Sequence, residues 1–520
     1  MIQGRYGATG LFLMALLALT SGPGSRLQAQ EIQGTLTLDE AVRLARNHNP
    51  GFLREANDQG AADWSVRESY ATFLPDVSTS LSGQYLAPGI PSTGIYTGED
   101  FGIGSTDYYF SGYNLQLSYQ LSGSSLFQVS SARADRKATR ARIEAEAFSL
   151  ESEVTAQYLA ALRARDEVEV ARRQLERAEE SEELAKARVE VGAAIPTDGK
   201  QAEVERGRAE VALLEGESAL RTEKLRLAEQ VGVDAPGSYE LVSEFAVFEP
   251  DWTREELVDR AMARHPQLRA YRAREDARKA GVRQAWSSYF PNLYLSATWS
   301  GRAREIGDRQ YLLGQARSSV RSQRESCQFM NQLVSGLTHS IEGYPKDCTA
   351  DPYQLTPAEE AQILANNDVF PFDFREEPLS IYLQVSFPVF QGFGRERELE
   401  EARAAAEDAR FDRRAEELRL KTAVTQAFDE LETAARVVEI EARNREVARE
   451  QLTLAQERYR LGAAPFLELL EAQSSMAAAE RDYLDARYRF HGAIWALEAA
   501  VGERLRPQDS VGAAHRLSQF

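Results

Sequence analysis

The chain has 520 residues, a formal net charge of −19 and a sequence pI near 5.0, with 43% hydrophobic and 27% charged residues. That acidity excludes nucleic acid as a partner, because backbone binding needs a basic face; charges of mixed sign along helical stretches read as solvated helix surface. Two cysteines and five scattered histidines form no nucleophile–base constellation and no metal-ligand cluster, so no enzyme, no cofactor and no metal site is expected.

The N-terminus opens with a signal peptide, placed at 1–29. Arg5 supplies the positive region, residues 11–19 (LFLMALLAL) the apolar run, and Leu27-Gln28-Ala29 a tolerable cleavage site. The run falls short of the roughly 20 residues a membrane-crossing helix takes. No cysteine lies near the cleavage site, so N-terminal lipidation is not expected.

The mature chain then repeats itself. Asn49-Pro50 and Phe73-Leu74-Pro75 recur as His265-Pro266 and Tyr289-Phe290-Pro291, 216 positions on. Leu115-Gln116-Leu117 recurs as Leu383-Gln384-Val385, 268 on, and Gly192-Ala193-Ala194 as Gly462-Ala463-Ala464, 270 on. A repeat this long means duplication of a whole architecture. The copies are placed at 30–240 and 250–502, with a tail at 503–520. The jump in offset puts an insertion in the second copy, at 301–378. It holds both cysteines, Cys327 and Cys348, which in an exported chain read as a disulfide.

Each copy predicts two short helices, a strand, a loop, a strand and two long helices. Copy one has helices from Leu38 to His48 and from Pro50 toward Thr72, strands at about 74–85 and 113–122, and long helices at about 124–191 and 197–231. Copy two repeats the short helices from Thr253 and from Pro266, with strands at about 291–300 and 379–390 and long helices at about 394–461 and 466–501. Proline opens the second short helix of each pair, where its missing N–H costs nothing. His48 and His265 read as equivalent capping or packing residues. Gly123 and Gly392-Phe393-Gly394 mark strand-to-helix transitions; the latter lacks the third glycine of a dinucleotide loop, since Arg397 stands there. The inserted segment shows no clear pattern and is expected as a long loop.

The strands alternate. Val77, Thr79 and Leu81 are interleaved with Ser78 and Ser80, and Leu115, Leu117 and Tyr119 with Gln116 and Ser118. Period-two patterning gives one apolar and one polar face, at a length that lets a tilted strand cross a bilayer. Four strands cannot close a membrane barrel, whose smallest form has eight, and open edges do not survive in lipid. Spanning strands therefore predict an oligomer.

The long helices carry an alanine-rich seam of 3.5-residue period: Leu150, Val154, Gln157, Ala161, Ala164 and Val168 in copy one, and Ala472, Met476, Ala479, Tyr483, Ala486 and Phe490 in copy two. Such a seam gives a left-handed coiled coil. A helix over 124–191 would be roughly 100 Å long at 1.5 Å per residue.

Signal, duplication, paired strands, paired long helices and the turns RVEVGAA at 188–194 and RYRLGAAPFLELLEAQ at 458–473 together resemble the TolC family of outer-membrane efflux and secretion channels. The resemblance implies an α+β membrane protein: a homotrimer with a 12-stranded transmembrane β-barrel, four strands per chain, continued by a long α-helical coiled-coil barrel. It implies a passive export duct in the outer-membrane lipid of a Gram-negative-type cell, working in a tripartite efflux or type I secretion system. A periplasmic adaptor (membrane fusion) protein would join it to an inner-membrane pump of RND, ABC or MFS type, and the inserted loop would be extracellular. By resemblance, Val191, Gly192 and Ala193 with Leu461, Gly462 and Ala463 form the adaptor-docking tip. Tyr459, Glu468, Glu471 and Asp198 form the periplasmic constriction, with Glu where Asp is usual and Asp198 and Gln201 as the weaker match in copy one. An exported coiled-coil surface protein or adhesin is the alternative; it leaves the paired strands unexplained.

Overall fold

The computed structural model describes residues 34–88, 106–234, 239–242, 245, 247–248, 251–339 and 341–505. The signal peptide expected at 1–29 lies outside the described residues, as do the middle of the first inter-strand loop and the tail beyond 505. The chain forms two compact units. One takes the described residues within 1–64, 133–279 and 403–520, the other 65–132 and 280–402.

The second unit is built on a sheet whose long strands are β2 (Asp76–Leu86), β3 (Tyr108–Leu121), β5 (Asn292–Ile306) and β7 (Ser380–Ser386), with a two-residue strand, β6 (Arg375–Glu376), beside β7. All pairings are antiparallel, in the order β2-β3-β5, and β7 and β6 both pair with β5. The register aligns like with like. Val77 faces Leu117, Leu117 faces Ala297, and Ala297 faces Ile381; Ser78, Gln116, Thr298 and Ser380 line up on the opposite face. Side chains alternate along a strand, so a slip by one residue would mix the two faces. Leu81, Ile381, Leu383 and Val385 are exposed on the apolar face. Among the described residues, β2 and β7 each have a partner on one side only.

The strand ends differ from expectation for local reasons. β5 runs to Ile306 rather than 300 because β3 begins at Tyr108 and pairs with it as far as Ile306, and the inserted chain adds contacts through β6 and the Asn367 side chain. That side chain accepts from Ile306 N (3.0 Å) and donates to Ile306 O (2.8 Å). β7 stops at Ser386 rather than 390: Pro388 has no N–H for a ladder, and Gly392 and Phe393 then take positive φ (60° and 63°) to start a helix at Gly394. At the other transition, a Cβ on Gly123 would lie 2.1 Å from Ser287 O.

The insertion is not the patternless loop expected. It holds two helices, α7 (Arg309–Ser335) and α8 (Pro357–Asn367). Their signals were in the sequence. Asp308 caps α7, accepting from Gln310 N and Tyr311 N, and Thr356 with Glu359 makes a capping box ahead of Pro357. Cys327 and Cys348 are disulfide-bonded, their Cα atoms 5.8 Å apart.

Helices make up most of the first unit. The short helices are α1 (Leu38–His48), α2 (Pro50–Ala71), α5 (Arg254–Arg264) and α6 (Pro266–Trp286); the long ones are α3 (Gly123–Glu190), α4 (Pro196–Val231), α9 (Gly394–Arg460) and α10 (Phe466–Val501). Of these, α2, α3, α6 and α9 each have a part in the second unit. Two short strands, β1 (Gly34–Leu36) and β4 (Tyr239–Leu241), pair in parallel; at three residues each they leave no periodic signature in the sequence. The seam residues pack as their period requires. Leu150, Val154 and Ala161 are buried against α1 and α4, and Ala486, Phe490 and Leu497 against α5 and α9. The equivalent cap residues are Asn49 and His265, not His48 and His265. Asn49 donates to Gln230 O (2.8 Å), and His265 Nε2 bonds Ala499 O at 3.1 Å. Both close the α1–α2 and α5–α6 corners onto the ends of α4 and α10. There Gly232 and Gly502 adopt positive φ, and a Cβ on either would strike the corner backbone, at His48 O (2.6 Å) and His265 Cα (2.9 Å).

Candidate functional site

The α3–α4 and α9–α10 turns have the same hydrogen-bonded form. In the first, Gly192 (φ 72°) donates to Val189 O and Ala193 to Arg188 O, at 3.0 and 2.8 Å; in the second, Gly462 (φ 73°) donates to Tyr459 O and Ala463 to Arg458 O, at the same distances. This pair of bonds is a Schellman cap, and it needs the left-handed conformation glycine takes without strain. The glycines are therefore helix caps by geometry. What the cap leaves outside is a bare apex: Val191 and Leu461, just before each glycine, are 77% and 76% exposed, and Ala193 and Ala463 are exposed beside them. Nothing comes within 4 Å of a Cβ built on Gly192.

Beneath the apex lies a closely packed cluster of Ala185, Ala202, Ala455, Tyr459, Phe466 and Leu469. The Tyr459 and Phe466 ring centroids are 5.5 Å apart, and Tyr459 is 1% exposed. Within one chain this tyrosine is a packing residue. Burial raises its phenol pKa, the negative charge of Asp198 raises it further, and Arg188 opposes the shift. Its hydroxyl has no hydrogen-bond partner among the described residues.

Arg188 opens the turn motif of copy one, and its role there comes from the structure alone. Its guanidinium lies 4.5 Å from the Tyr459 ring centroid, and Nη2 donates to Ala193 O at 3.0 Å. The same Nη2 would be 3.3 Å from a Cβ on Gly462. Arg188 thus ties the turn of copy one to that of copy two by a cation–π contact. Its repeat equivalent, Arg458, is ion-paired instead with Glu468, in the first turn of α10. The recurrence of the two arginines was visible in the sequence; that they do different work was not.

Of the residues expected at a constriction, Glu468 is half-buried in its pair with Arg458, Glu471 is exposed, and Asp198 is half-buried in the first turn of α4. Both glutamates sit near a helix N-terminus, whose dipole favours them. A second ion pair, Arg177 with Glu480 at 2.6 Å, braces α3 against α10 further along the same wall. Among the described residues no group of His, Cys, Asp or Glu could hold a metal ion, and no helix is long and apolar enough to cross a membrane.

The model of the outer membrane efflux protein family matches residues 41–233 and 366–503, most of copy one and the C-terminal part of copy two, leaving out α5, α6, β5 and the bulk of the insertion. The chain belongs to that family. It is accordingly placed in the outer membrane. The cobalt-zinc-cadmium resistance protein CzcC of Cupriavidus metallidurans is 22% identical over 267 residues; the match spans 51% of this chain and 59% of CzcC. Among solved structures, the CmeC outer membrane channel of Campylobacter jejuni aligns with a TM-score of 0.65 at 15% identity, covering 90% of this chain and 87% of that one. The outer membrane protein VceC of Vibrio cholerae aligns at 0.61 and 17%, covering 90% and 97%. At such identities the likeness is one of fold.

Proposed function

We propose that this protein is a passive export duct: a homotrimer whose four-stranded sheets join edge to edge into one 12-stranded outer-membrane barrel, with the long helices forming its periplasmic tunnel. The observation that carries the reading is the open sheet. Its register places one apolar and one polar face on all four long strands, and its β2 and β7 edges lack an outer partner among the described residues. Joining β7 of one chain to β2 of the next satisfies the edges and turns the apolar face to lipid. Family membership supports an efflux role.

In this reading the apex, with Val191, Gly192 and Ala193 and with Leu461, Gly462 and Ala463, docks the hairpin tips of a periplasmic adaptor, which joins the duct to an inner-membrane pump. The exposed aliphatic side chains supply the contact, and the small residues allow close approach. Glu468 and Glu471, repeated by three-fold symmetry, make acidic rings that favour cations at the periplasmic end. Tyr459 and Asp198 act behind that ring as packing and electrostatic support. The test is reconstitution of the detergent-purified chain into a planar lipid bilayer. Discrete, long-lived conductance steps are expected; a membrane that stays silent at every protein concentration rules the duct out.

A further inference from the structure

The polar face of the sheet is nearly uncharged. From β2 it presents Ser78, Ser80, Ser82 and Gln84, with Asp76 at the start of the strand; β3 and β7 add amides, hydroxyls and aromatic rings. β5 breaks the pattern where it outruns β7. There Arg302 and Arg304 project on the polar face, since they share the parity of Thr298 and Ser300. Both line a groove of about 700 Å³ together with Ser82, Gln84, Asn114 and Ser300.

The two arginines are held differently. Arg302 Nε lies 3.0 Å from Glu377 Oε1, yet its side chain is 75% exposed; Glu377 is itself fixed by Ser300 Oγ at 3.1 Å. Arg304 lies with its guanidinium 4.7 Å from the Tyr108 ring centroid, and among the described residues no carboxylate pairs with it. The ring restrains the guanidinium without consuming its donors or its charge. One carboxylate therefore faces two guanidiniums. On the polar face the guanidiniums are in excess, because Glu305 and Glu376 follow the register of the opposite face, with Tyr109 and Gly301.

We propose that Arg302 and Arg304 form an anion-selecting constriction at the outer end of the barrel, with affinity for solutes that carry phosphate or carboxylate groups. The inference rests on the duct reading, because three-fold symmetry is what gathers two arginines per chain into a ring of six. Guanidinium forks match phosphate and carboxylate in pairs, and rings of Arg favour anions. The duct would then carry opposite signs at its two ends, acidic at the helical apex and basic at the outer mouth. Glu377 tunes the ring by occupying Arg302.

The experiment is block of single-channel current in planar bilayers by inorganic pyrophosphate, added to either side in turn. Block is expected from one side only. In R302Q/R304Q about tenfold more pyrophosphate should be needed for half-block, whereas R302K/R304K should retain much of the sensitivity and E377Q should be blocked at lower concentration. Equal block of the wild type and the Gln variant, or no block of a conducting wild type, overturns the inference and leaves the duct standing. An absence of any channel in the wild type overturns the duct reading and this inference together.

Discussion

Arg188 and Arg458 occupy the same place in the two copies, and their divergence shows how far single residues could be read. Sequence spacing located both arginines and both capping glycines. It could not say that Arg188 would lie on the Tyr459 ring while Arg458 paired with Glu468, because that choice depends on which helices meet across the tip. Tyr459, expected at a constriction, is buried inside one chain for the same reason. Y459F should be nearly neutral in thermal unfolding, since the hydroxyl it removes has no partner. Y459A should cost about 3–5 kcal/mol by leaving a cavity; a mild Y459A would contradict the packing role. At the apex, G462W should abolish export in a transport assay while trimers persist on native gels, because the left-handed cap tolerates no side chain and Arg188 lies beneath it. Full export by G462W would remove the apex as the docking point. E468Q/E471Q should raise conductance or lower cation preference; unchanged pore currents would relieve both residues of a gating role.

Elements were legible wherever a period was long enough to repeat. The 3.5-residue seams and the two-residue strand alternation gave the helices and strands, and proline gave the starts of α2 and α6. The three-residue strands β1 and β4 lie below any period, and β5 is extended by pairing with the start of β3, with added contacts from the insertion, which sequence spacing does not encode. The helices of the insertion are signalled by their caps, at Asp308 and at Thr356 with Glu359, rather than by a long repeat. The corners between short helices carry a testable contrast. G232A and G502A should each cost about 1–3 kcal/mol, since positive φ and backbone contact both oppose a Cβ. G281A, within α6 and with nothing within 4 Å of its Cβ, should stabilise by about 0.5–1 kcal/mol. Similar effects at all three positions would refute the corner geometry. His265 adds a pH dependence. Burial holds its pKa below the ordinary 6.5, and the acceptance of Gln267 N by Nδ1 assigns the proton to Nε2, on Ala499 O. The unfolded chain takes up a proton that the folded chain refuses. Stability is therefore full above pH 6.5 and declines as pH falls from there toward the folded value. H265N, which installs the residue of copy one, should flatten that part of the thermal-midpoint profile; an identical slope in both proteins would assign it to other groups.

At the scale of the whole molecule, the duplication supplies two near-copies of one strand–helix unit, and the sheet they build has two edges that one chain does not close. Physics, rather than any motif, makes the oligomer the expected solution. Three-fold closure is the central claim, since the acidic apex, the basic mouth and the tunnel all depend on it. Electron microscopy of the detergent-purified protein tests it most directly. A three-fold particle with a short barrel and a long hollow stem is the expected result. A solid rod, or a compact particle without a three-fold axis, would contradict the closure and favour the exported coiled-coil surface protein.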